Sequence, residues 1–227
     1  MHLTADVRMW NHSGIGTYIQ GVLPVLCRLY PEWEITLLGS AERPTWAAAL
    51  PARWLTMNSP IYSLAEQFEL LRLVPADTDV LWSPHFNTPW LYRGKLAATV
   101  HDLLPLARPD FMGRGKQLAA YWYLWRLKKQ ASRIITVSQF SAQELQRYLQ
   151  APKSQMQVIP HGVDPFWSEG GREDALLAGM DKPYFLFVGN IKPHKNGKAL
   201  LEAMKRLEQE LPHRLLLVGQ KEGFRTG

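Results

Sequence analysis

The chain has 227 residues, of which 46% are hydrophobic and 20% charged, a composition that excludes a disordered polymer and a small disulfide-stapled fold. Its net charge of +6 indicates a surface that attracts anions such as nucleic acid, acidic lipid or phosphorylated substrates. The sequence opens without a signal peptide, no apolar run reaches the roughly 18 residues that span a bilayer, and the one cysteine, Cys27, lies in an apolar helical stretch. We therefore expect a cytoplasmic protein.

Strand and helix patterns alternate along the chain. Residues 1–10 predict a strand, 11–16 a loop, 17–30 a helix opened by Thr17, and 33–39 a second strand, which together form a βαβ unit. Further strands are predicted at residues 79–84, 95–102 and 133–138, and further helices at 64–74, 115–132 and 141–149. This alternation predicts an α/β fold in which helices cover both faces of a parallel sheet.

A boundary is predicted in the stretch "QVIPHGVDPFW", because Pro160, Gly162 and Pro165 break regular structure there. The two predicted domains span residues 1–167 and 168–227. The second restarts as one βαβ unit, and such a short unit leaves much of its sheet surface uncovered. Either the chain is a fragment, or another polypeptide covers that surface.

The first candidate site is the glycine-bearing stretch "NHSGIGTY". In open parallel sheets, ligands bind at the carboxyl ends of the strands. Gly14 and Gly16 let the backbone approach a ligand, and the helix that follows offers free N–H groups to a phosphate. The alternative is an ordinary glycine turn that enters a helix.

Two further candidates end apolar runs. In "TVHDL", His101 and Asp102 are the candidate catalytic residues. His101 can orient a sugar hydroxyl or a phosphate, and Asp102 can fix the histidine tautomer, bind a hydroxyl or cap the next element. In "TVSQFSAQEL", Ser138 is a possible ligand contact, while Ser141 and Glu144 have the spacing of a capping box. For both stretches a purely structural role stays open.

The fourth candidate is the turn "GNIKPHKN". Lys195 near the start of a helix, with Lys192 close by, provides the positive charge that an anionic diphosphate requires. Lysines in a polar turn are also commonly just solvated.

Taken together, "GIGTY", "TVHDLLPL", "TVSQFSAQEL", "VIPHGVDPFW" and "YFLFVGNIKPHKN" resemble, in order and separation, the retaining family 4 glycosyltransferases of the GT-B fold, which include many bacterial mannosyltransferases. The resemblance implies two Rossmann-like domains that face a cleft. It implies transfer of a sugar, mannose by analogy with GDP-mannose enzymes, from a nucleotide-sugar donor to a glycan or lipid-linked acceptor. It also implies retention of configuration, with no metal and no cofactor.

Carried over by position, the resemblance assigns the segment at Gly14 and Gly16 to the donor phosphates, His101 to the transferred sugar and Lys195 to the diphosphate. Many relatives place Arg where this chain has Asn190, so Lys192 is expected to substitute. The acidic ExxxxxxxE motif of relatives lies beyond the matched positions. We therefore expect a truncated chain that is inactive alone.

Other readings follow from the same residues. The helix at 115–132 carries the aromatic residues Tyr121, Trp122, Tyr123 and Trp125 beside basic residues. This pattern fits either peripheral contact with an anionic membrane or a core-facing helix with a basic end. A non-catalytic module that binds an acceptor or a partner subunit is the main alternative to an enzyme. Nucleic acid is not expected as a partner, because the basic residues are scattered and no stacking platform is evident.

Overall fold

The computed structural model describes residues 1–111, 113–164, 181–189 and 192–219, and it divides the chain into two compact units, Met1–Asp164 and Pro165–Gly227. The predicted boundary after residue 167 lies outside the described residues and stays a prediction. Within the described ranges, no helix is both long enough and apolar enough to cross a membrane.

The first unit is built on one parallel sheet of seven strands in the order β3-β2-β1-β4-β5-β6-β7. The strands are β1 (His2–Asp6), β2 (Glu34–Gly39), β3 (Arg53–Thr56), β4 (Val80–Ser83), β5 (Leu96–Val100), β6 (Arg133–Thr136) and β7 (Met156–Val158). This is the doubly wound order of Rossmann-like sheets, in which the strand order reverses between β1 and β4. The predicted α/β class is confirmed.

The helices of this unit each bury part of their surface. They are α1 (Ser13–Leu29), α2 (Thr45–Ala48), α3 (Leu64–Leu73), α4 (Leu104–Ala107), α5 (Arg114–Gln130) and α6 (Gln139–Leu149). In α1 the buried residues include Ile19, Leu23 and Cys27, which recur every four residues and so lie on one face. All five residues of β1 are buried, as expected for a parallel strand covered on both faces.

Helix α1 starts earlier than its sequence pattern predicts. The helix begins at Ser13 and not at Thr17, so Gly14 and Gly16 lie in its first turn and not in a preceding loop. The reason is that the Gly16 N–H already donates to the His12 carbonyl, at 2.6 Å. A Cβ atom on Gly16 would lie 2.1 Å from the Trp10 carbonyl oxygen, so only glycine permits this close approach.

The start of α6 is a second correction. Ser138 is its N-cap and its hydroxyl accepts a hydrogen bond from the Ser141 N–H at 3.0 Å. The expected capping box, with Ser141 as the cap and Glu144 as its partner, is therefore wrong, because the helix begins two residues earlier than its apolar pattern. Ser138 has the capping role that the pattern assigned to Ser141.

The second unit contains β8 (Tyr184–Val188), α7 (Gly197–Leu207) and β9 (Arg214–Val218), with β8 and β9 parallel. The predicted βαβ unit is thus confirmed. No described residue of this unit is buried, and its strands expose large apolar side chains, among them Leu186, Val188 and Val218.

Candidate active site

The candidate site lies at the carboxyl edge of the first-unit sheet, around the point where the strand order reverses. In doubly wound sheets this reversal opens a crevice in which ligands bind. Chemically active side chains follow three of the strands that end there: Arg8 after β1, His85 after β4 and His101 after β5.

Three aromatic rings meet at this edge. The ring centroid of Tyr18, on α1, lies 5.1 Å from that of His101 and 5.2 Å from that of His161, both edge-on. The two imidazoles stack at 5.7 Å with an interplanar angle of 23°. Tyr18 and His101 are half-buried and His161 is exposed, so the cluster has one open side toward solvent.

His101 is held in one tautomer. Its Nε2 lies 2.8 Å from the Pro84 carbonyl oxygen, and because a carbonyl only accepts, Nε2 carries the proton and donates. Burial lowers the pKa of His101, and the neighbouring His161 lowers it further, against the opposing effects of the Pro84 bond and Asp102. At neutral pH the imidazole is therefore uncharged, with Nδ1 left as a hydrogen-bond acceptor.

Hydroxyl groups fix the surroundings of His101. The Ser141 hydroxyl donates to the His101 carbonyl at 2.9 Å, and the Ser138 hydroxyl donates to the Ser141 hydroxyl at 3.0 Å. On the other side, the hydroxyl of Tyr18 lies 3.3 Å from that of Thr99. Ser138 thus positions the site through Ser141, and its predicted ligand contact stays a prediction.

Asp102 lies next to His101 in sequence, but its carboxylate faces the next helix. It is exposed, and its Oδ1 accepts a hydrogen bond from the Leu104 N–H at 3.0 Å. This geometry supports the capping role, while its charge still favours the protonated form of His101. The catalytic assignment of Asp102 stays a prediction.

A buried ionic network lies at the same edge of the sheet. The Arg8 guanidinium donates to both carboxylate oxygens of Asp6, at 2.8 and 2.6 Å, and to Glu66 at 2.5 Å. Burial alone would raise the pKa of Asp6, but Arg8 outweighs it and the pKa is lowered. Burial is the stronger effect on Glu66, whose pKa is raised despite Arg8.

His85 belongs to the same network. Its Nδ1 accepts from the Asn87 N–H at 3.0 Å, so the neutral ring carries its proton on Nε2. Burial lowers the pKa of His85 to about 4, and the histidine is neutral at pH 7. Because Asn87 also donates to Glu66 at 2.7 Å, the loop that bears Pro84 and His85 is tied to α3.

In the second unit, the two lysines predicted to bind the diphosphate lie on an exposed turn. Lys192 and Lys195 are exposed, and Lys195 ends the short 3₁₀ turn that precedes α7. The residue before α7, Asn196, is left-handed with φ 54°, and its side chain makes no capping bond to the first N–H groups of α7. Asn190 lies outside the described residues.

Sequence reasoning missed Tyr18, His161 and the buried network. Charged residues inside the apolar run "LTADVRMW" are the signal that could have found Asp6 and Arg8, because charges are rarely buried without a partner. His161 was part of a quoted motif, but it was read only as part of a boundary. Its contact with His101 joins residues 60 positions apart and has no local signature.

Comparison with known proteins places these features in a family. The family described as Glycosyltransferase Family 4 matches residues 13–166. The serotype-specific mannosyltransferase WbdA of Escherichia coli is 30% identical over 140 residues, covering 55% of this chain and 17% of that protein. The D-inositol 3-phosphate glycosyltransferase of Segniliparus rotundus is 33% identical over 103 residues, covering 43% and 23%. The chain thus matches about a fifth of the length of these curated relatives.

Solved structures agree on the fold. A glycosyltransferase from Rickettsia africae matches with a TM-score of 0.57 at 13% identity, covering 96% of this chain and 68% of that one. The lipopolysaccharide outer core galactosyltransferase WaaB matches with a TM-score of 0.56 at 11% identity, covering 98% and 69%. At such identities the likeness shows the fold, and it confirms the predicted GT-B type.

Proposed function

From the premise that this chain belongs to Glycosyltransferase Family 4, we propose that it takes part in transfer of a sugar from a nucleotide-sugar donor to a glycan or lipid-linked acceptor. The observation that carries the proposal is the neutral His101, held at the carboxyl edge of the sheet with Nδ1 as an acceptor. An imidazole in this state accepts a hydrogen bond from a sugar hydroxyl without adding charge near the reacting carbon.

The proposed chemistry is a retaining displacement. The bond between the anomeric carbon and the phosphate oxygen breaks, and the acceptor oxygen attaches on the same face, while the acceptor proton passes to the leaving diphosphate. Lys195, Lys192 and the N–H groups at the start of α7 are proposed to stabilise the negative charge of that diphosphate. The reaction proposed here uses no metal and no cofactor.

We propose mannose as the transferred sugar and GDP-mannose as the donor. The support is the 30% identity to a protein described as a serotype-specific mannosyltransferase. Since the matched proteins are described as transferases, a non-catalytic binding module is not favoured. The proposal gains a direct test from thermal unfolding with GDP-mannose, UDP-galactose and dTDP-glucose, in which GDP-mannose should stabilise the chain most.

Substitution of Lys195 tests the proposed contact with the donor diphosphate. Lys195→Gln should weaken donor binding roughly tenfold, because a charge-assisted bond to the diphosphate is lost. Lys205→Gln is the matched control, since Lys205 is exposed near the end of α7 that lies away from the turn. If calorimetry showed that the two variants lose the same amount of donor affinity, a specific contact between Lys195 and the diphosphate would be contradicted.

We also propose that the 227-residue polypeptide transfers little sugar by itself. The support is the openness of the second unit, whose described residues bury no side chain. A purified chain assayed with GDP-mannose and candidate acceptors should release GDP no faster than a His101→Ala variant does. Appreciable transfer above that control would refute this part of the proposal.

Peripheral contact with an anionic membrane is proposed for α5. Leu118, Tyr121, Trp122 and Trp125 are exposed at helical spacing on the face opposite its buried residues. Five basic residues and no acidic ones lie on α5, and the Lys129 ammonium lies 6.0 Å from the Trp125 ring centroid. Apolar side chains flanked by basic ones suit the headgroup region of acidic lipid.

Vesicle co-sedimentation tests this contact. The chain should bind vesicles of phosphatidylcholine with phosphatidylserine more than vesicles of phosphatidylcholine alone, and Trp125→Ser should reduce the binding. Leu29→Ser, an exposed apolar position of α1, is the matched control. Binding that does not depend on anionic lipid would end the membrane proposal.

A further inference from the structure

Three potential metal ligands meet at the amino edge of the first-unit sheet, opposite the candidate active site. One ligand atom from each of His2, Glu34 and Asp77 lies within 4.8 Å of the others. His2 and Glu34 are direct partners in the β1–β2 register, so their side chains project from the same face of the sheet. Sheet pairing itself therefore brings two of the three ligands together.

The side chain of His2 is buried and aimed into this cluster. The residue is 5% exposed, and its Nε2 lies 2.8 Å from the Thr36 hydroxyl. Its Nδ1 is buried without a hydrogen-bond partner, 3.3 Å from an Asp77 carboxylate oxygen. When Nε2 donates to Thr36, a bare Nδ1 lone pair faces a carboxylate, an arrangement that a cation between the two relieves.

The segment that bears Asp77 is pinned beside His2 by its own bonds. The Asp79 carboxylate accepts from the His2 N–H at 2.7 Å, and the Asp79 N–H donates to the His2 carbonyl at 2.9 Å. The hydroxyls of Thr78 and Thr4 lie 2.8 Å apart. Asp77 is therefore presented to His2 by contacts that need no ion.

We propose that His2 Nδ1 and the carboxylates of Glu34 and Asp77 bind a Zn²⁺ ion. Mixed imidazole and carboxylate ligands suit zinc, whereas magnesium and calcium prefer oxygen alone. Zinc–ligand bonds of about 2.1 Å place tetrahedral ligand atoms roughly 3.4 Å apart. Ligand atoms that lie as far as 4.8 Å from one another therefore need to close by about 1.4 Å, which the exposed carboxylates can do. Two carboxylates balance the charge of the ion.

The zinc would have a structural role. It joins the start of β1, the start of β2 and the segment before β4, and strand β1 separates it from the candidate active site by roughly 13 Å. This site is independent of the proposed sugar transfer. Its ligands are mostly at a solvent-open edge, since Glu34 is exposed and the Asp77 side chain is 72% exposed.

The test is zinc titration of the tag-free chain after treatment with EDTA. Zinc at about a hundredfold excess over its Kd should raise the Tm of the first unit by roughly 5–10 °C, and magnesium at the same concentration should not. Glu34→Gln and Asp77→Asn alter exposed side chains and keep their shape. Each should weaken zinc binding at least tenfold, whereas Glu32→Gln, an exposed neighbour, should not.

Coordination is read separately with cobalt. The Co²⁺-loaded chain should show the visible absorption of a four- or five-coordinate site with a nitrogen ligand, and Asp77→Asn should lose that absorption. The absence of a zinc-dependent Tm shift would overturn the proposal. The proposal would also be overturned if Glu34→Gln and Asp77→Asn each showed the same zinc-dependent Tm shift as the unsubstituted chain. Zinc would then bind elsewhere, and His2–Asp77 would be a simple ion pair.

Discussion

The two units hold their charged groups in different ways. In the first unit, the Arg8 side chain is 3% exposed and shares its donors between Asp6 and Glu66. In the second, the pair of Lys198 and Glu202 spans 3.9 Å with side chains 90% and 60% exposed. Buried charges must be paired to be tolerated, whereas exposed ones are stabilised by water. The Arg8 network of the first unit is thus fixed before any ligand arrives, whereas the exposed lysines described in the second unit can be reorganised by an anion.

The largest expected difference between the units comes from removing one partner of each ion pair. Arg8→Met leaves two carboxylates buried without their partner and should lower the free energy of unfolding by about 3–5 kcal/mol. Lys198→Met should change it by no more than about 0.5 kcal/mol. Urea unfolding followed by tryptophan fluorescence measures the Arg8 variant, since eight of the nine tryptophans lie in the first unit, and calorimetric unfolding measures the Lys198 variant. If Arg8→Met lowered the free energy of unfolding by less than about 1 kcal/mol, the buried and exposed ion pairs would not differ as proposed.

Low pH should destabilise the first unit through its buried histidine, His85, and this is the second largest expected effect. The pKa of His85 is about 4 in the folded chain and about 6.5 when unfolded, so below pH 6.5 the unfolded chain binds the proton first. Stability is therefore lost as pH falls, by roughly 3 kcal/mol between pH 6.5 and pH 4. The loss over this window should be smaller in His85→Phe, which cannot take up the proton. If the free energy of unfolding depended on pH in the same way in both proteins, His85 would not be a source of the acid sensitivity.

Helix caps give the smallest expected effect. Ser138→Ala removes the hydrogen bond from the Ser141 N–H and should cost about 1 kcal/mol, and Ser138→Asp should retain most of that stability. In the second unit, Asn196→Gly should change stability by less than about 0.5 kcal/mol, because no capping bond is lost and glycine accepts φ 54°. Calorimetric unfolding measures both changes. Similar losses at the two caps would indicate that α7 is capped as firmly as α6.

The architecture could be predicted from the sequence because its signals are local. The apolar runs that form β1, β4, β5 and β6 are short and bounded by polar or turn residues. The edge strand β3 has no comparable run and was missed. The start of α1 was misplaced because glycines usually indicate a loop, whereas here Gly16 is required by the close approach of the Trp10 carbonyl.

The site could be predicted only in part. His101 was found because it ends a strand, and strand ends converge at one edge of a parallel sheet. Tyr18 and His161 contact His101 from distant segments of the chain, and no local sequence pattern predicts these contacts. The network of Arg8 and Glu66 joins residues 58 positions apart. Pairings of this kind depend on the packing of the finished fold.

The state of His101 is the feature on which the proposed function depends most. Long-range ¹H–¹⁵N NMR of the histidine side chains measures the tautomer and the charge of this ring directly. At pH 7 we expect a neutral His101 with its proton on Nε2, and His101→Gln identifies the signal by its loss. A His101 that is charged at pH 7, or that carries its proton on Nδ1, would contradict its proposed role as a neutral hydrogen-bond acceptor for the sugar.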